Sequence, residues 1–424
     1  MQLSGPARAA AAVLIVGLIG SGSALAEDRT EVSTLIFAEK RDGDKGGLFV
    51  IHPQASFGVD LGRYVSLDVS YAADAVSGAT QSVYQVDAVS TATKFSDLRN
   101  EGTVAIGFRG RRSRITFSTT AGTERDYVNR AFAGSASIDL PGRNTTVALA
   151  YSHSFDQVCN RNNAMATPLE ARALTGADPC DKSGLIFGKN DPMGRTRWED
   201  LGIDTAQATL TQNLSPTLNM QVALYGSVLD GFQSNPYRRV RIGPNAPQEH
   251  VPDIRARWSV SARFNKYLQK LKGAVHLDAR FYDDTWRVIG GNLELGYSQY
   301  MGKSLLLRFY GRLYQQSAAK FFKDAFYYQT SSTAGEYFTG DRELSPVRNV
   351  SLGAKLTLIT VGEEKPVWGM FDKLQLNLRG DIMMIDNLAA DNVEMNAGGI
   401  DTQFIYGTSL IDAVTLQLGL LGNY

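Results

Sequence analysis

Apolar and polar positions alternate along most of the chain after about residue 27. In YVSLDVSYA the apolar residues Val65, Leu67 and Val69 share one parity, and polar or small residues occupy the other. A period of two places successive side chains on opposite faces of a β-strand, whereas a helix requires a period near 3.6. The same alternation recurs in TVAIGF, TTVALAY, TLNMQVALYG, RWSVSARF, AVHLDARF and DAVTLQLGLLGNY. The pattern predicts an all-β protein.

The connections between these runs alternate in length, with brief exceptions near 125–127 and 283–285. Short ones lie near 60–63, 110–113, 140–144, 214–216, 265–270 and 301–303, and long ones near 76–98, 157–201, 231–253, 317–346 and 387–400. Short periplasmic turns and long outer loops are typical of outer-membrane barrels with an even number of strands. We therefore predict a transmembrane antiparallel up-and-down β-barrel of about 16 strands. A soluble β-sandwich is the alternative, because it also alternates.

The two ends of the chain favour the barrel over the sandwich. The start, MQLSGPARAAAAVLIVGLIGSGSALAEDRT, has one basic residue, a short apolar run and small residues before the first acidic ones. These features predict a signal peptide over 1–26 and an outer-membrane barrel over 27–424, with an uncleaved anchor as the alternative. The last run ends on Tyr424. We expect this strand to close the barrel against the first one, and Tyr424 to act as a signal for the outer-membrane assembly machinery.

Composition excludes several classes of function. The chain has 43 basic and 43 acidic residues, so its net charge is zero and nucleic acid is not expected as a partner. No phosphate-binding loop, zinc-ligand spacing or CxxC motif occurs, so we predict no cofactor and no metal. The two cysteines, Cys159 and Cys180, lie in the long segment at about 157–201. In an exported chain they predict a disulfide, with two free thiols or a metal pair as the weaker alternatives.

Several stretches resemble a bacterial family known as domain of unknown function 3570. They are YAADAVSGAT (71–80), SNPYRRV (234–240), RFYDDTW (280–286), YQQSAAKFF (314–322) and DRELS (341–345). The resemblance spans most of the mature chain and implies an outer-membrane barrel, but no established activity. The cysteine-bearing segment looks longer than the family's usual connection, so the resemblance leaves its role open.

If the apolar parity faces lipid, the other parity faces the lumen. In the first half it carries mostly small or neutral residues: Ser66, Asp68, Ala148, Ala150, Ser152, Thr205, Gln207, Thr209, Asn219 and Gln221. In the second half basic residues outnumber acidic ones, and the predicted lumen-lining set is Arg257, Arg263, His276, Asp278, Arg280, Glu294, Arg308, Arg312, Lys355, Arg379 and Asp381. One wall is thus predicted to be basic and the other neutral. These residues either select anionic or polar solutes or brace the wall through ion pairs.

Enzymatic interpretations are weak. His153 in YSHSF has serine neighbours, but adjacent residues of a strand point to opposite faces, which separates a base from its nucleophile. Asp283 and Asp284 in YDDTW indicate a turn more than a cation site. The aromatic stretch KFFKDAFYYQ (320–329) packs over the barrel mouth or, less favourably, stacks on a ligand. We predict that the protein is not an enzyme.

Together these features predict an outer-membrane channel or transporter for small polar solutes, anionic ones among them. A non-conducting outer-membrane scaffold that holds a periplasmic or surface partner is the alternative. The expected surroundings are outer-membrane lipid and lipopolysaccharide, with the assembly machinery during insertion.

Overall fold

A computed structural model describes the chain over residues 28–39, 48–78, 95–124, 126–160, 181–182, 188–190, 197–236, 240, 247–322, 335–362, 366–388 and 411–424. In these residues the strands form a closed antiparallel barrel with 16 strands. The predicted fold class and strand number are therefore confirmed. The predicted signal peptide and Cys180 lie outside the described residues, and the domain bounds remain a prediction.

The barrel strands are hydrogen-bonded to their neighbours in chain order. Their bounds are β1 (Arg29–Glu39), β2 (Phe49–Leu61), β3 (Val65–Gly78), β4 (Phe95–Arg109), β5 (Ser113–Thr123), β6 (Tyr127–Asp139), β7 (Thr145–Asn160), β10 (Arg197–Ser215), β11 (Leu218–Gly231), β12 (Ile254–Leu268), β13 (Gly273–Asp284), β14 (Ile289–Met301), β15 (Leu305–Gln316), β16 (Val347–Val361), β17 (Lys373–Asn387) and β18 (Ala413–Asn423). Two short strands, β8 (Asp181–Lys182) and β9 (Gly188–Lys189), form a separate sheet between β7 and β10. β1 pairs with β2 on one side and β18 on the other, so the barrel leaves no sheet edge unpaired.

The two ends of the barrel differ in their connections. Tight turns join strands at 62–64, 110–112, 140–144, 216–217, 269–272 and 302–304, and we call this the turn end. Gly62 and Gly302 have φ of 81° and 72°, a backbone conformation that glycine adopts without a steric penalty. Arg29 pairs with Asn423 at the turn end too. The long connections leave the opposite end, which we call the loop end.

The outer surface of the barrel is apolar. Phe117, Leu149 and Leu418 are 58%, 58% and 53% exposed, and each alternates with more buried neighbours. A soluble β-sandwich would bury the apolar residues of this face, so the sandwich alternative fails. An apolar outer face is the arrangement that lipid requires.

The only helix among the described residues is the short 3-10 helix Arg342–Leu344. No described helix is long and apolar enough to cross a membrane.

Two groups of side chains pack at the loop end, on opposite sides of the wall. One group contains Trp286, which lies under the guanidinium of inward-facing Arg255 at 4.2 Å. We call it the mouth cluster; its buried members are Val251, Trp286, Val288, Ala319, Phe321 and Leu344. The other group lies on the outward parity and consists of Val128, Cys159 and Trp198, with Gly188 of β9 against the Trp198 ring. The described parts of the connections therefore pack on the inner side of the wall beside β12–β15 and on the outer side beside β6–β10.

Candidate functional site

The predicted lumen-lining residues all lie in barrel strands, on the parity opposite to the exposed apolar side chains. On β15, for example, Phe309 and Leu313 are exposed on the outer face, and Arg308, Tyr310 and Arg312 occupy the inner one. The set is distributed over the inner faces of β12–β17, which we call the charged wall: Arg257, Arg263, His276, Asp278, Arg280, Glu294, Arg308, Arg312, Lys355, Arg379 and Asp381.

Glu294 of β14 is the centre of one ion-pair group. Its Oε1 accepts a hydrogen bond from Arg308 Nη2 at 3.0 Å, and its Oε2 accepts two from Arg312, from Nη2 at 2.8 Å and Nε at 3.0 Å. Glu294 lies opposite Arg312 in the β14–β15 register. One buried carboxylate therefore holds two guanidinium groups, which leaves this part of the wall with net positive charge.

Asp381 of β17 is the centre of a second group. It accepts hydrogen bonds from the Tyr310 hydroxyl, from Arg379 Nε at 2.9 Å and from Thr415 Oγ1 at 2.9 Å. Tyr310 comes from β15, so its ring must cross β16 to reach Asp381. It crosses at Gly353, where a Cβ atom would overlap both the ring and the carboxylate. The missing side chain at Gly353 is what allows three strands to meet at one carboxylate.

The β12–β14 part of the charged wall is more completely paired. Arg263 and Asp278 form an ion pair across β12 and β13. His276 lies between two polar partners, with Nδ1 at 2.6 Å from Asn265 Oδ1 and Nε2 at 2.8 Å from Ser298 Oγ. Arg280 is exposed to the lumen and has no ion pair with any described residue. These contacts brace the wall between β12 and β14, and the guanidinium of Arg280 remains accessible from the lumen.

Three basic residues lie side by side on neighbouring strands. Arg308 of β15 is opposite Lys355 of β16, and Lys355 is opposite Arg379 of β17. We call this set the basic row. The guanidinium groups of Arg308 and Arg379 lie 5.5 Å and 5.2 Å from the centroid of the Tyr310 ring. The basic row is thus built around one aromatic ring.

A different surface lies across the lumen. In the strand order β6 is directly opposite β16, and β7 is opposite β17. Between their ends, β6, β7, β10 and β11 have small or neutral inward residues, which we call the neutral wall: Ala133, Ser135, Ser137, Ala148, Ala150, Ser152, Thr205, Gln207, Thr209, Asn219, Gln221 and Ala223. Opposite β16 and β17, the inner faces of β6 and β7 present short, uncharged side chains at these positions. Opposite β12–β15 lie β2–β5, whose inner faces carry ion pairs of their own.

The prediction of a neutral first half is wrong for β1–β5. Arg29 and Arg114 both approach Asp68, with N–O distances of 3.2 Å and 3.7 Å. Further pairs on these inner faces are Arg109–Asp60 at 3.4 Å, His52–Asp74 at 2.5 Å and Arg99–Glu101 at 2.6 Å. Parity counted from exposed Val32, Phe57 and Val104 would have placed these residues inside. Which of these residues form ion pairs with one another could be determined only from the strand register.

Other motifs occupy structural positions. Asp284 pairs with Arg255 at 2.5 Å, and its Oδ1 accepts hydrogen bonds from the backbone N–H groups of Trp286 and Val288 at 2.9 Å and 3.0 Å, as a turn residue does. Phe321 packs against Trp286 at a centroid distance of 5.1 Å. Residues 323–329 of the aromatic stretch lie outside the described residues. No group of three or more potential metal ligands occurs in the described parts of the chain.

His153 and Tyr151 lie on the outer face of β7, where both contact the carboxylate of Asp204 of β10. The Tyr151 hydroxyl donates to Asp204 Oδ1 at 2.5 Å, and His153 Nδ1 lies 2.8 Å from the same oxygen. Ser152 and Ser154 occupy the inner parity of β7. The histidine and its neighbouring serines therefore diverge, which agrees with the argument against a nucleophile there.

Two further predicted residues are described in part. Cys159 takes part in a disulfide. Because Cys180 lies outside the described residues, the Cys159–Cys180 pairing stays a prediction. Tyr424 has its ring centroid 6.2 Å from that of Phe57 and 6.1 Å from that of Phe371, and its backbone N–H donates to the carbonyl of Asp28 at 3.0 Å. These contacts attach Tyr424 to the outer surface at the seam between β18 and β1.

Comparison of the sequence with family models identifies one match. The family described as "Protein of unknown function (DUF3570)" matches residues 83–365, which is more than half of the chain. The resemblance predicted from the sequence is confirmed. No curated protein matches the sequence.

Several solved structures are similar to the barrel. A "Bacterial polysaccharide outer membrane secretin" has a TM-score of 0.47 at 8% identity and covers 95% of this chain and 100% of its own. A BenF-like porin from Pseudomonas fluorescens Pf-5 has a TM-score of 0.43 at 8% identity, covering 94% and 98%. OccK2 (OpdF) from Pseudomonas aeruginosa, in complex with glucuronate, has a TM-score of 0.38 at 10% identity, covering 94% and 98%. Similarities at this level assign no residue and no solute to the present chain.

Proposed function

Because the chain belongs to the family "Protein of unknown function (DUF3570)", whose description states no activity, we propose a function from the barrel itself. The protein is a passive channel or transporter for small polar solutes across the outer membrane of a Gram-negative cell. It has no catalytic role. Its selectivity comes from fixed charge on the charged wall and favours anions.

The observation that carries the proposal is the difference between the two sides of the lumen. Barrels of 16–18 strands are wide enough to leave an aqueous channel unless loops or long side chains fill it. Here the inner faces of β6 and β7 have short neutral side chains at mid-height, including Ala148, Ala150 and Ser152. They leave a polar passage in front of the charged wall.

The incomplete neutralisation of the charged wall supports the proposed anion preference. Glu294 holds two arginines, and Asp381 holds Arg379 together with two neutral donors. Lys355 and Arg280 add positive charge without an ion pair to any described residue. Excess positive charge beside a low-dielectric wall raises the local concentration of anions.

The outer face and the connections support the proposed outer-membrane location. Exposed apolar side chains such as Leu149 and Leu418 suit outer-membrane lipid, and the loop end would face lipopolysaccharide and the cell exterior. We expect a signal peptide over 1–26, insertion by the outer-membrane assembly machinery with Tyr424 as part of its signal, and a Cys159–Cys180 disulfide in the outer loop.

A non-conducting scaffold is the second candidate, and the mouth cluster favours it. Trp286, Phe321 and Leu344 are buried together at the loop end, beside the inward-facing Arg255 and Tyr282. Connections that pack this firmly narrow the mouth of the lumen on the side of the charged wall. If they close it, the same barrel would hold a surface or periplasmic partner and pass no solute.

Conductance of the purified protein in a planar bilayer separates the two candidates. We expect discrete conductance steps for the wild type. Ala148→Trp, which puts a large side chain on the neutral wall, should lower the step size, and Leu149→Trp, on the outer face of the same strand, should leave it unchanged. Absence of steps in all three proteins, each with the heat-modifiable gel mobility of a folded barrel, would contradict the channel and favour the scaffold.

A further inference from the structure

The basic row places like charges directly beside one another. Arg308, Lys355 and Arg379 are successive register partners on β15, β16 and β17, and all three face the lumen. Directly opposed like charges destabilise a pair of strands. Nearby neutral positions such as Ser351 and Thr357 show that β16 also accommodates uncharged residues on this face. Because these like charges do not stabilise the barrel, their placement side by side requires another explanation.

Counter-charge is distributed unevenly within the row. Arg308 is bound to Glu294 through Nη2, and Arg379 is bound to Asp381 through Nε and Nη2. Lys355 is half-buried, and its ammonium makes no hydrogen bond and no ion pair with any described residue. The acidic residue whose charge acts on it is Glu31 of β1. The centre of the row is therefore the place where positive charge is least compensated.

The flanking guanidinium groups are held in place. Both lie against the Tyr310 ring, whose hydroxyl is fixed by Asp381, and the ring rests on Gly353. Neither guanidinium uses its Nη1 in an ion pair with a residue that the structure describes. Groups that are fixed before a ligand arrives lose little entropy when it binds. Among the described residues, the strand opposite Lys355 across the lumen is β6, whose inward residues Ala133, Ser135 and Ser137 have short side chains.

We propose that the basic row is a binding site for a compact oxyanion, with inorganic phosphate as the simplest member of the class. Neighbouring strands lie about 4.8 Å apart, so the donors of the three side chains can converge on one tetrahedral anion of several acceptor oxygens. Lys355 supplies the central charge, and Arg308 and Arg379 supply guanidinium donors from either side. The site rests on the proposed function, because the ligand reaches it through the lumen.

Binding of inorganic phosphate to the detergent-solubilised barrel tests the site without requiring conductance. Isothermal titration at constant ionic strength should give saturable binding to the wild type. Lys355→Gln should weaken it by about tenfold or more, since a charged hydrogen bond is lost. Lys373→Gln is the matched control, because Lys373 is an inward-facing lysine at the turn end of β17, outside the row. Glu31→Gln should strengthen binding.

The possible outcomes separate this site from the channel. Binding that depends on Lys355 in a barrel that conducts no ions would support the site and contradict the channel. A conducting barrel that does not bind phosphate, or one in which Lys355→Gln and Lys373→Gln weaken binding equally, would overturn the site and leave the channel intact. Folding of each variant is checked by its heat-modifiable mobility.

Discussion

The charged wall and the neutral wall have the same backbone pattern and differ only in the residues that face the lumen. Both consist of antiparallel strands with apolar residues outside, as at Phe309 on β15 and Leu149 on β7. Inside, the charged wall has long side chains that bind one another across three strands at Asp381. The neutral wall has short ones with local contacts, such as Thr205 Oγ1 to Ser227 Oγ at 3.2 Å. The outward-facing residues of both walls are apolar because they contact lipid, whereas the inward-facing residues can differ between the two walls.

In the proposed channel this difference determines where the passage lies and which groups line it. Arginine, lysine and tyrosine side chains extend into the lumen from β12–β17, whereas the alanine, serine and threonine side chains of β6 and β7 extend little. We therefore expect the passage to run beside β6 and β7, with the excess positive charge on the charged wall. A solute would pass along the tips of the charged side chains.

The largest expected effect comes from comparing an outward-facing residue with an inward-facing residue of the neutral wall. Leu149→Arg puts a charge on the lipid face and should cost about 3 kcal/mol of the free energy of unfolding. Ala150→Arg, one residue away, faces the lumen and should cost much less. Urea unfolding in lipid vesicles measures both. Equal losses would mean that the faces are assigned incorrectly.

A smaller effect compares the two walls directly. Asp381→Asn keeps the shape of the side chain but removes the charge that binds Arg379, Tyr310 and Thr415, and it should cost about 2 kcal/mol. Gln207→Ala on the neutral wall should change the free energy of unfolding by about 0.5 kcal/mol or less. If the two substitutions have the same effect, the ion-pair groups do not brace the charged wall.

Gly353 provides a finer test of how the charged wall is held. Gly353→Ala places a Cβ against the Tyr310 ring and should cost about 1.5 kcal/mol through overpacking. Gly102→Ala on β4, where no atom lies within 4 Å of an added Cβ, measures the effect of the substitution alone. Adding Tyr310→Ala should reduce the penalty of Gly353→Ala, with a remainder from the overlap with the Asp381 carboxylate. A penalty that Tyr310→Ala does not reduce would exclude the Tyr310 contact as a cause.

The fold was largely predictable because the alternation of apolar and polar residues within each strand indicates which side chains face lipid and which face the lumen. Runs such as Val65–Leu67–Val69 and Arg308–Tyr310–Arg312 assign faces without knowledge of any partner, and alternating connection lengths indicate the hairpins. Pairing was not predictable in the same way. Which carboxylate lies beside Arg308 depends on strand register, which is set by turn geometry and by closure of the barrel. The sequence therefore predicts which side chains face inward but not the Glu294 and Asp381 groups.

The charges of β1–β5 were missed for a related reason. Asp74, Arg99 and Glu101 lie toward the loop ends of β3 and β4, close to the segment 76–98 that was interpreted as a long connection. Without strand bounds their parity is not counted. Asp68 was placed inside correctly, but its two arginine partners come from β1 and β5 and are distant in sequence.

The central claim is that uncompensated positive charge on the charged wall gives the channel a preference for anions. The most direct measurement is the reversal potential of the purified protein across a salt gradient in a planar bilayer. The wild type should prefer anions, and Arg308→Glu with Arg312→Glu should reduce or invert the preference, with the corresponding Gln variants in between. The bias should weaken at high salt, because the Debye length falls from about 10 Å at 0.1 M to about 3 Å at 1 M. A conducting wild type without ion preference, unchanged by these charge reversals, would contradict the claim and leave the arginines as braces.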